Sequence, residues 1–228
     1  MIIYTTMPYK KKRNYRRRYK KKGCVPFYKR KYSAMEIATK AYQGVKYVKG
    51  LVNSEMFKKD HSVDAVGIDN STGLVYPLTD VAVGDHQTNR TGNSILGKYV
   101  FGRYQIVQHA AASQTNVRVL IVQDKQQIAD TYPTLNDVLE TVTPLSSLDT
   151  ARFPGRFNVL YSKNIILDSA SRTIDFDKVR IDYSTHVKYN GTASTDIAKN
   201  GIYFMLISDE ATNVPYLSSR LKFSFHDN

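Results

Sequence analysis

The sequence predicts an all-β protein, an eight-stranded jelly-roll β-sandwich that follows a disordered basic N-terminal arm and a short amphipathic helix. Three patterns predict it: cations crowded near the start of the chain, then apolar residues at three- and four-residue steps, then apolar residues alternating with polar ones. We therefore divide the chain into a basic arm (1–32), a linking helix (33–56) and a sandwich domain (57–228).

The excess positive charge is confined to the arm. The chain has 33 Lys and Arg against 20 Asp and Glu, a formal net charge of +13. Thirteen of these cations precede Tyr32 and the first acid is Glu36, so the rest of the chain has equal numbers of cations and acids. Because like charges repel and few apolar residues are available for burial, we expect the arm to be disordered until a polyanion neutralises it.

The residue composition of the arm is suited to binding the phosphates and unpaired bases of a nucleic acid. A cation beside a phosphate releases condensed counterions whatever the base sequence, and the interleaved Tyr9, Tyr15, Tyr19 and Tyr28 can stack on bases. The composition favours a single-stranded nucleic acid, with a host nuclear import receptor as a further partner of the same run. A solubilising tail and an anionic membrane are the alternatives, but no acylation motif accompanies the run. The candidate nucleic-acid-binding residues are Lys10, Lys11, Lys12, Arg13, Tyr15, Arg16, Arg17, Arg18, Tyr19, Lys20, Lys21, Lys22, Lys29, Arg30, Lys31, Lys40 and Lys46.

One amphipathic helix is predicted from Ser33 to about Val52. Ser33 and Glu36 have capping-box spacing, and Lys40 and Lys46 fall between the apolar positions. Gly44 and Gly50 weaken the prediction, so a shorter or broken helix is an alternative. The polar side either faces nucleic acid or is simply solvated while the helix packs on the domain.

Period-two alternation and turn residues predict eight strands in the remaining chain. Eight strands with long connections fit a double-sheet jelly roll of two four-stranded sheets, although composition alone also allows an immunoglobulin-like sandwich or another barrel. A short helix is expected between Thr134 and Thr143, where the strand pattern lapses. The predicted strands are His61–Ile68, Leu74–Val81, Ile95–His109, Val117–Gln123, Phe157–Leu167, Lys178–Tyr189, Ile202–Ile207 and Ser219–His226.

Several functional classes lack a sequence signal. The chain has one Cys, no apolar run near the 20 or so residues that span a bilayer, and no secretory signal, so we expect a reducing compartment and no membrane. No metal-ligand spacing, nucleophile elbow or phosphate-binding loop is present, so we expect no enzyme, no cofactor and no metal. Asp175 and Asp177 share one strand face if that stretch is extended, and paired carboxylates can serve acid/base chemistry or bind calcium. We interpret them instead as solvated acids beside Lys178 and Arg180 at a strand edge.

The order of these features resembles a known group of viral proteins. The residues that carry the resemblance are Met7–Arg13 with Arg16–Arg18, Val48–Phe57, Arg90–Ile95, Val117–Gln126 and Pro133–Leu139. They are similar to segments of the capsid proteins of small circular single-stranded DNA viruses that encode a rolling-circle replication protein, and of the related shells of satellite plant viruses.

This resemblance implies an icosahedral T=1 virion of about 60 jelly-roll subunits, assembled in the host cell nucleus around single-stranded DNA. About 60 arms would bring roughly 780 positive charges to the interior. We therefore expect a coat protein that self-assembles and packages its genome through the arm, with DNA favoured over RNA. The alternative function is a monomeric nucleic-acid-binding module or chaperone with a β-barrel body, which would carry base-contacting aromatic residues on its surface.

Overall fold

The computed structural model describes residues 33–51, 56–128, 131–149 and 151–227. Over these residues the chain forms two units, one within Met1–Asn53 and one spanning Ser54–Asn228. The elements in chain order are α1 (Ala34–Leu51), β1 (Met56–Gly67), β2 (Leu74–Pro77), β3 (Ser94–Val107), β4 (Gln114–Asp124), α2 (Leu135–Val138), β5 (Phe157–Asp168), β6 (Ile174–Tyr189), β7 (Ile197–Lys199), β8 (Gly201–Ser208) and β9 (Tyr216–Asp227).

The first unit contributes α1, which begins at the predicted capping box. The Ser33 backbone N–H donates to the Glu36 carboxylate at 2.8 Å, and the Glu36 N–H donates to the Ser33 hydroxyl at 3.2 Å. The bonds that the Ser33 backbone N–H and the Ser33 hydroxyl donate to the Glu36 carboxylate lower its pKa, because they favour its charged form. The helix continues unbroken through Gly44, so the predicted single helix is confirmed and the alternative of a shorter or broken helix is wrong.

The second unit is a jelly roll of two antiparallel sheets. One sheet has the strand order β1-β9-β3-β6-β7 and the other the order β2-β8-β4-β5. Every predicted strand is present, and the all-β jelly-roll class is confirmed. The prediction of two four-stranded sheets is wrong for one sheet, because β7 pairs with the end of β6 and adds a fifth strand. At three residues, β7 is too short to show an alternating pattern.

The core lies between the two sheets. The inward positions Val117, Val119 and Ile121 of β4 and Phe223 and Phe225 of β9 are all fully buried. Alternation along β9 matches this arrangement, since its intervening residues are more polar. Burial of such apolar side chains is the main source of stability in a sandwich of this kind.

A long connection between β4 and β5 covers part of the outer face of the four-stranded sheet, including that of β8, while outward residues of β5 such as Ile166 stay exposed. It contains α2, and Leu135, Val138 and Leu139 are buried. Arg118 of β4 donates to the carbonyl oxygen of Ser146 in this connection, and Tyr132 lies against Tyr203 of β8 with ring centroids 5.8 Å apart. The cover explains why every residue of β8 is buried, although a strand with one solvated face would alternate.

Within the described residues, no helix is both long enough and apolar enough to cross a membrane.

Candidate nucleic-acid and packing surfaces

The candidate binding residues fall into two groups. Lys40 and Lys46 lie on α1, where both are exposed. With 3.6 residues per turn, both belong to the half of the helix opposite Ile37, Ala41 and Val45. The predicted division into a polar and an apolar side therefore holds for α1. The arm residues, from Lys10 to Lys31, lie outside the described residues.

The outer faces of the two sheets differ. The connection described above covers the outer face of the four-stranded sheet over β8 and part of β4. The outer face of the five-stranded sheet is formed by alternate residues of β1, β9, β3 and β6, most of which are exposed or half-buried. Its cations are Lys58, Arg103, Lys178, Arg180, Lys188, Arg220 and Lys222, and its acids are Asp60, Asp64 and Asp182. The face is therefore basic, although the chain after the arm has no net charge.

Sequence reasoning missed this basic face. Each of its cations occupies the polar position of an ordinary alternating strand, and the strands are far apart in the chain. Only the pairing register shows that Arg103 lies opposite both Arg220 and Lys178. The available sequence signal was weak, namely that β3, β6 and β9 all have Lys or Arg on their polar sides.

Asp175 and Asp177 do share a strand face, but they point between the sheets rather than into solvent. Asp175 is only 3% exposed, and Asp177 is half-buried. Lys163 of β5 donates to Asp175 at 3.0 Å and to Asp177 at 2.9 Å, and Arg172 also pairs with Asp175. The interpretation of Asp175 and Asp177 as solvated acids beside Lys178 and Arg180 is therefore wrong, because β5 places Lys163 opposite them on the inner side.

Two tyrosines extend this inter-sheet cluster. The Tyr161 hydroxyl donates to Asp177 at 2.9 Å and lies 2.9 Å from the Tyr104 hydroxyl. The bond from Lys163 holds the pKa of Asp177 below its ordinary value, with support from Tyr161. Burial raises the pKa of Tyr104, and the bond with Tyr161 raises it further. The cluster is a closed hydrogen-bond network that joins β5 to β6 and β3, and it has the character of a structural link between the sheets.

A second polar feature missed from the sequence is the fully buried Arg90. Its guanidinium donates to the carbonyl oxygens of Val81, Gly92 and Gly191, and it lies 4.0 Å from the centroid of the Tyr189 ring. Burial lowers the pKa of Arg90. The side chain thereby ties the segment between β2 and β3 to the turn between β6 and β7.

Among the cavities that the described residues of the second unit form, three are similar in volume. One of about 390 Å³ is bordered by the β1–β2 turn and the segment around α2, and one of about 380 Å³ lies within the β4–β5 connection beside Arg152 and Phe153. The third, of about 400 Å³, lies on the basic face beside Arg103 and Phe176. In the part of the chain that the structure describes, no three His, Cys, Asp or Glu side chains gather where they could hold a metal ion.

Comparison with known proteins gives one family match. The model of the family described as satellite tobacco necrosis virus coat protein matches residues 32–227. A comparison with curated proteins finds no match.

Three of the solved structures with some similarity to this chain are viral structures. The Israel acute paralysis virus pentamer is 11% identical over 75% of this chain and 68% of that chain, with a TM-score of 0.38. A Desmodium yellow mottle tymovirus structure is 8% identical over 76% of this chain and 86% of that chain, with a TM-score of 0.33. The native virion of Kashmir bee virus at acidic pH is 15% identical over 100% of this chain and 83% of that chain, with a TM-score of 0.36.

Proposed function

The chain belongs to the satellite tobacco necrosis virus coat protein family and is a viral capsid protein, and from this premise we propose that it assembles with copies of itself and packages a single-stranded genome through its basic arm. The observation that carries the proposal is the separation of charge. Thirteen cations precede Tyr32, whereas the rest of the chain is neutral overall. A neutral β-sandwich can pack against its copies without strong repulsion, while the arms concentrate positive charge for the genome.

The proposed particle is a T=1 icosahedral shell of about 60 subunits. Residues 57–228 would form the shell, residues 33–56 would link it to the arm, and residues 1–32 would bind the genome. Lys40 and Lys46 on the polar side of α1 would continue the binding surface of the arm. Membership of a coat-protein family supports a structural, non-enzymatic role for the whole.

Electron microscopy of the full chain, expressed and purified, tests assembly. We expect closed particles of uniform size whose ultraviolet absorbance ratio indicates enclosed nucleic acid. A matched chain that lacks residues 1–32 should still form particles but should enclose much less nucleic acid. Monomers that persist across salt, pH and added single strands would contradict the proposal and favour a monomeric nucleic-acid-binding module.

Whether the packaged genome is DNA or RNA is a separate part of the proposal. The resemblance described above favours DNA, while phosphate neutralisation and base stacking by the arm suit DNA and RNA alike. Nucleic acid extracted from particles grown in the natural host and treated with DNase or RNase identifies the sugar, with loss to DNase expected.

The basic arm is also proposed to bind a host import receptor, so that assembly takes place in the host nucleus. A fluorescent protein fused to residues 1–32 should accumulate in nuclei. Replacing the arm cations with Gln should return the fusion to an even distribution, and nuclear accumulation that survives this replacement would contradict the proposal.

A further inference from the structure

Three cations form a line across three neighbouring strands on the basic face of the five-stranded sheet. Arg103 on β3 lies directly opposite Arg220 on β9 and directly opposite Lys178 on β6. Residues directly opposite each other in antiparallel strands share one side of the sheet, with Cα atoms about 5 Å apart. We call Arg103, Lys178 and Arg220 the cation row.

The fold pairs only one of the three cations of this row with an acid. Arg220 pairs with Asp64 at 2.7 Å, but within the described residues neither Arg103 nor Lys178 has an ion pair. Like charges directly opposite each other in a sheet are destabilising. Since Arg103 and Lys178 are exposed and contribute nothing to the core, the row is best explained by an anion from outside the subunit.

Aromatic side chains lie beside the cation row. In the next row of the sheet, Phe101 lies opposite both Lys222 and Arg180. Its ring centroid is 5.5 Å from that of Tyr99, over whose ring the Arg180 guanidinium lies at 5.1 Å. On the other side of the row, Phe176 is 53% exposed. Flat rings beside cations provide stacking surfaces for unpaired bases next to contacts for their phosphates.

The cavity of about 400 Å³ lies where the row meets Phe176. Its lining includes Arg103, Arg220, Phe176 and Gln105, together with Ser218 and the Asp64 that pairs with Arg220. Its volume falls in the range of pockets that hold small organic ligands. It therefore offers one place where a base could stack on Phe176 while an adjacent phosphate contacts Arg103.

We propose that this face is a second nucleic-acid surface, on which a single strand crosses the cation row and stacks a base on Phe176; the proposal rests on the packaging function proposed above. The chain's own arm does not suit the face, because its 13 cations would be repelled by the row. A single strand suits it better than a duplex, because only unpaired bases expose their flat surfaces to Phe176, Phe101 and Tyr99.

Salt-dependent binding of the full chain to a fluorescent single-stranded oligonucleotide tests the cation row. In the double variant Arg103→Gln and Lys178→Gln, the slope of log affinity against log salt should become shallower by about 0.7 for each lost phosphate contact. The matched control is Lys125→Gln with Arg152→Gln, which removes two exposed cations from the β4–β5 connection. If both double variants change the slope equally, the face has no special role.

The thermal stability of the Arg103→Gln, Lys178→Gln double variant, measured without nucleic acid, provides a second test. Removing Arg103 and Lys178 relieves like-charge repulsion, so the unfolding midpoint should stay level or rise by about 1 °C or more. Weaker binding by a protein that is at least as stable is the expected signature of a binding surface. A lower midpoint with unchanged binding would instead assign the row a structural role and overturn the proposal.

Two substitutions of Phe176 test whether a base stacks on its ring. Phe176→Leu keeps an apolar side chain but removes the ring, so affinity should fall about five-fold or more, whereas Phe176→Tyr should bind like the original chain. Equal affinities of the two variants would exclude stacking at this position.

Photochemical cross-linking separates failure of this inference from failure of the proposed function. A single strand containing 4-thiothymidine, bound to the full chain, should give adducts on the peptides of β3 and β6. Particles that contain nucleic acid but give adducts only before residue 57 would overturn the second surface and leave the packaging function intact. Adducts on β3 and β6 without particle formation would support the surface and contradict the packaging function. Loss of assembly in the Arg103 and Lys178 variant without loss of oligonucleotide binding would identify the face as a contact between subunits.

Discussion

At the scale of single residues, Arg90 is a fully buried cation whose hydrogen bonds go to carbonyl oxygens. Arg90→Met would keep much of the side-chain volume but leave the carbonyls of Val81, Gly92 and Gly191 without these donors. We expect the free energy of unfolding to fall by about 3 kcal/mol or more, measured by urea denaturation. The exposed Arg103→Met is the matched control and should change it by about 0.5 kcal/mol at most. Equal losses in the two variants would show that Arg90 does not tie its loops together.

The Asp177 carboxylate makes stability depend on pH. Its pKa in the folded chain lies below the ordinary value of 3.8, chiefly because Lys163 donates to it. A group with a depressed folded pKa stabilises the fold above its unfolded pKa, and this contribution is lost as the pH falls through the folded pKa. The unfolding free energy should therefore drop below about pH 4, and Asp177→Asn should reduce the steepness of that drop. Parallel pH profiles for the two proteins would contradict this assignment.

At the scale of elements, the β4–β5 connection acts as a third layer over the four-stranded sheet. Leu135 in this layer is fully buried, so Leu135→Ala should lower the free energy of unfolding by about 2–5 kcal/mol. Leu145 in the same connection is 79% exposed, and Leu145→Ala is the matched control, with little change expected. Thermal or denaturant unfolding of the two variants measures the difference. Similar stabilities would mean that the connection contributes little to the sandwich.

In the β1–β2 turn, local geometry restricts which residue type can occupy the position of Gly73. The Asp69 carboxylate accepts from the backbone N–H groups of Ser71, Thr72 and Gly73, and these bonds hold its pKa below the ordinary value even though burial opposes the shift. Gly73 has a φ of +60°, and a Cβ there would lie 2.3 Å from the Leu206 carbonyl oxygen. We expect Gly73→Ala to cost more than the 1 kcal/mol or so of an ordinary glycine replacement, as measured by thermal unfolding. Gly155→Ala, also at positive φ but with open space around it, should cost less and isolates the effect of the clash.

At the scale of the whole molecule, the structural core and the excess charge lie in different parts of the chain. Every buried apolar residue of the core cluster lies between Ile68 and Phe225. Removing residues 1–32 should therefore leave the thermal unfolding midpoint of the sandwich unchanged, while nucleic-acid affinity falls steeply at low salt. Calorimetry and oligonucleotide titration of the two chains measure both effects. A lower midpoint in the shortened chain would show that the arm stabilises its own subunit.

The sequence by itself determined the features that depend on local pattern. The alternation in β4 and β9, the capping box at Ser33 and the charge excess before Tyr32 are each visible within a few consecutive residues, and they led to the jelly roll and to the arm. The short strand β7 was not predicted, because three residues carry too little periodic signal.

Only the tertiary structure decided which polar side chains meet. Strand register places Arg103 between Arg220 and Lys178, and the packing of one sheet on the other places Lys163 against Asp175. The sequence pattern of a strand tells which residues share a side but not which strand lies next to it or what covers it. For that reason Asp175 had the sequence signature of a solvated acid, and the cation row had only the weak signature of a Lys or Arg on the polar side of each strand.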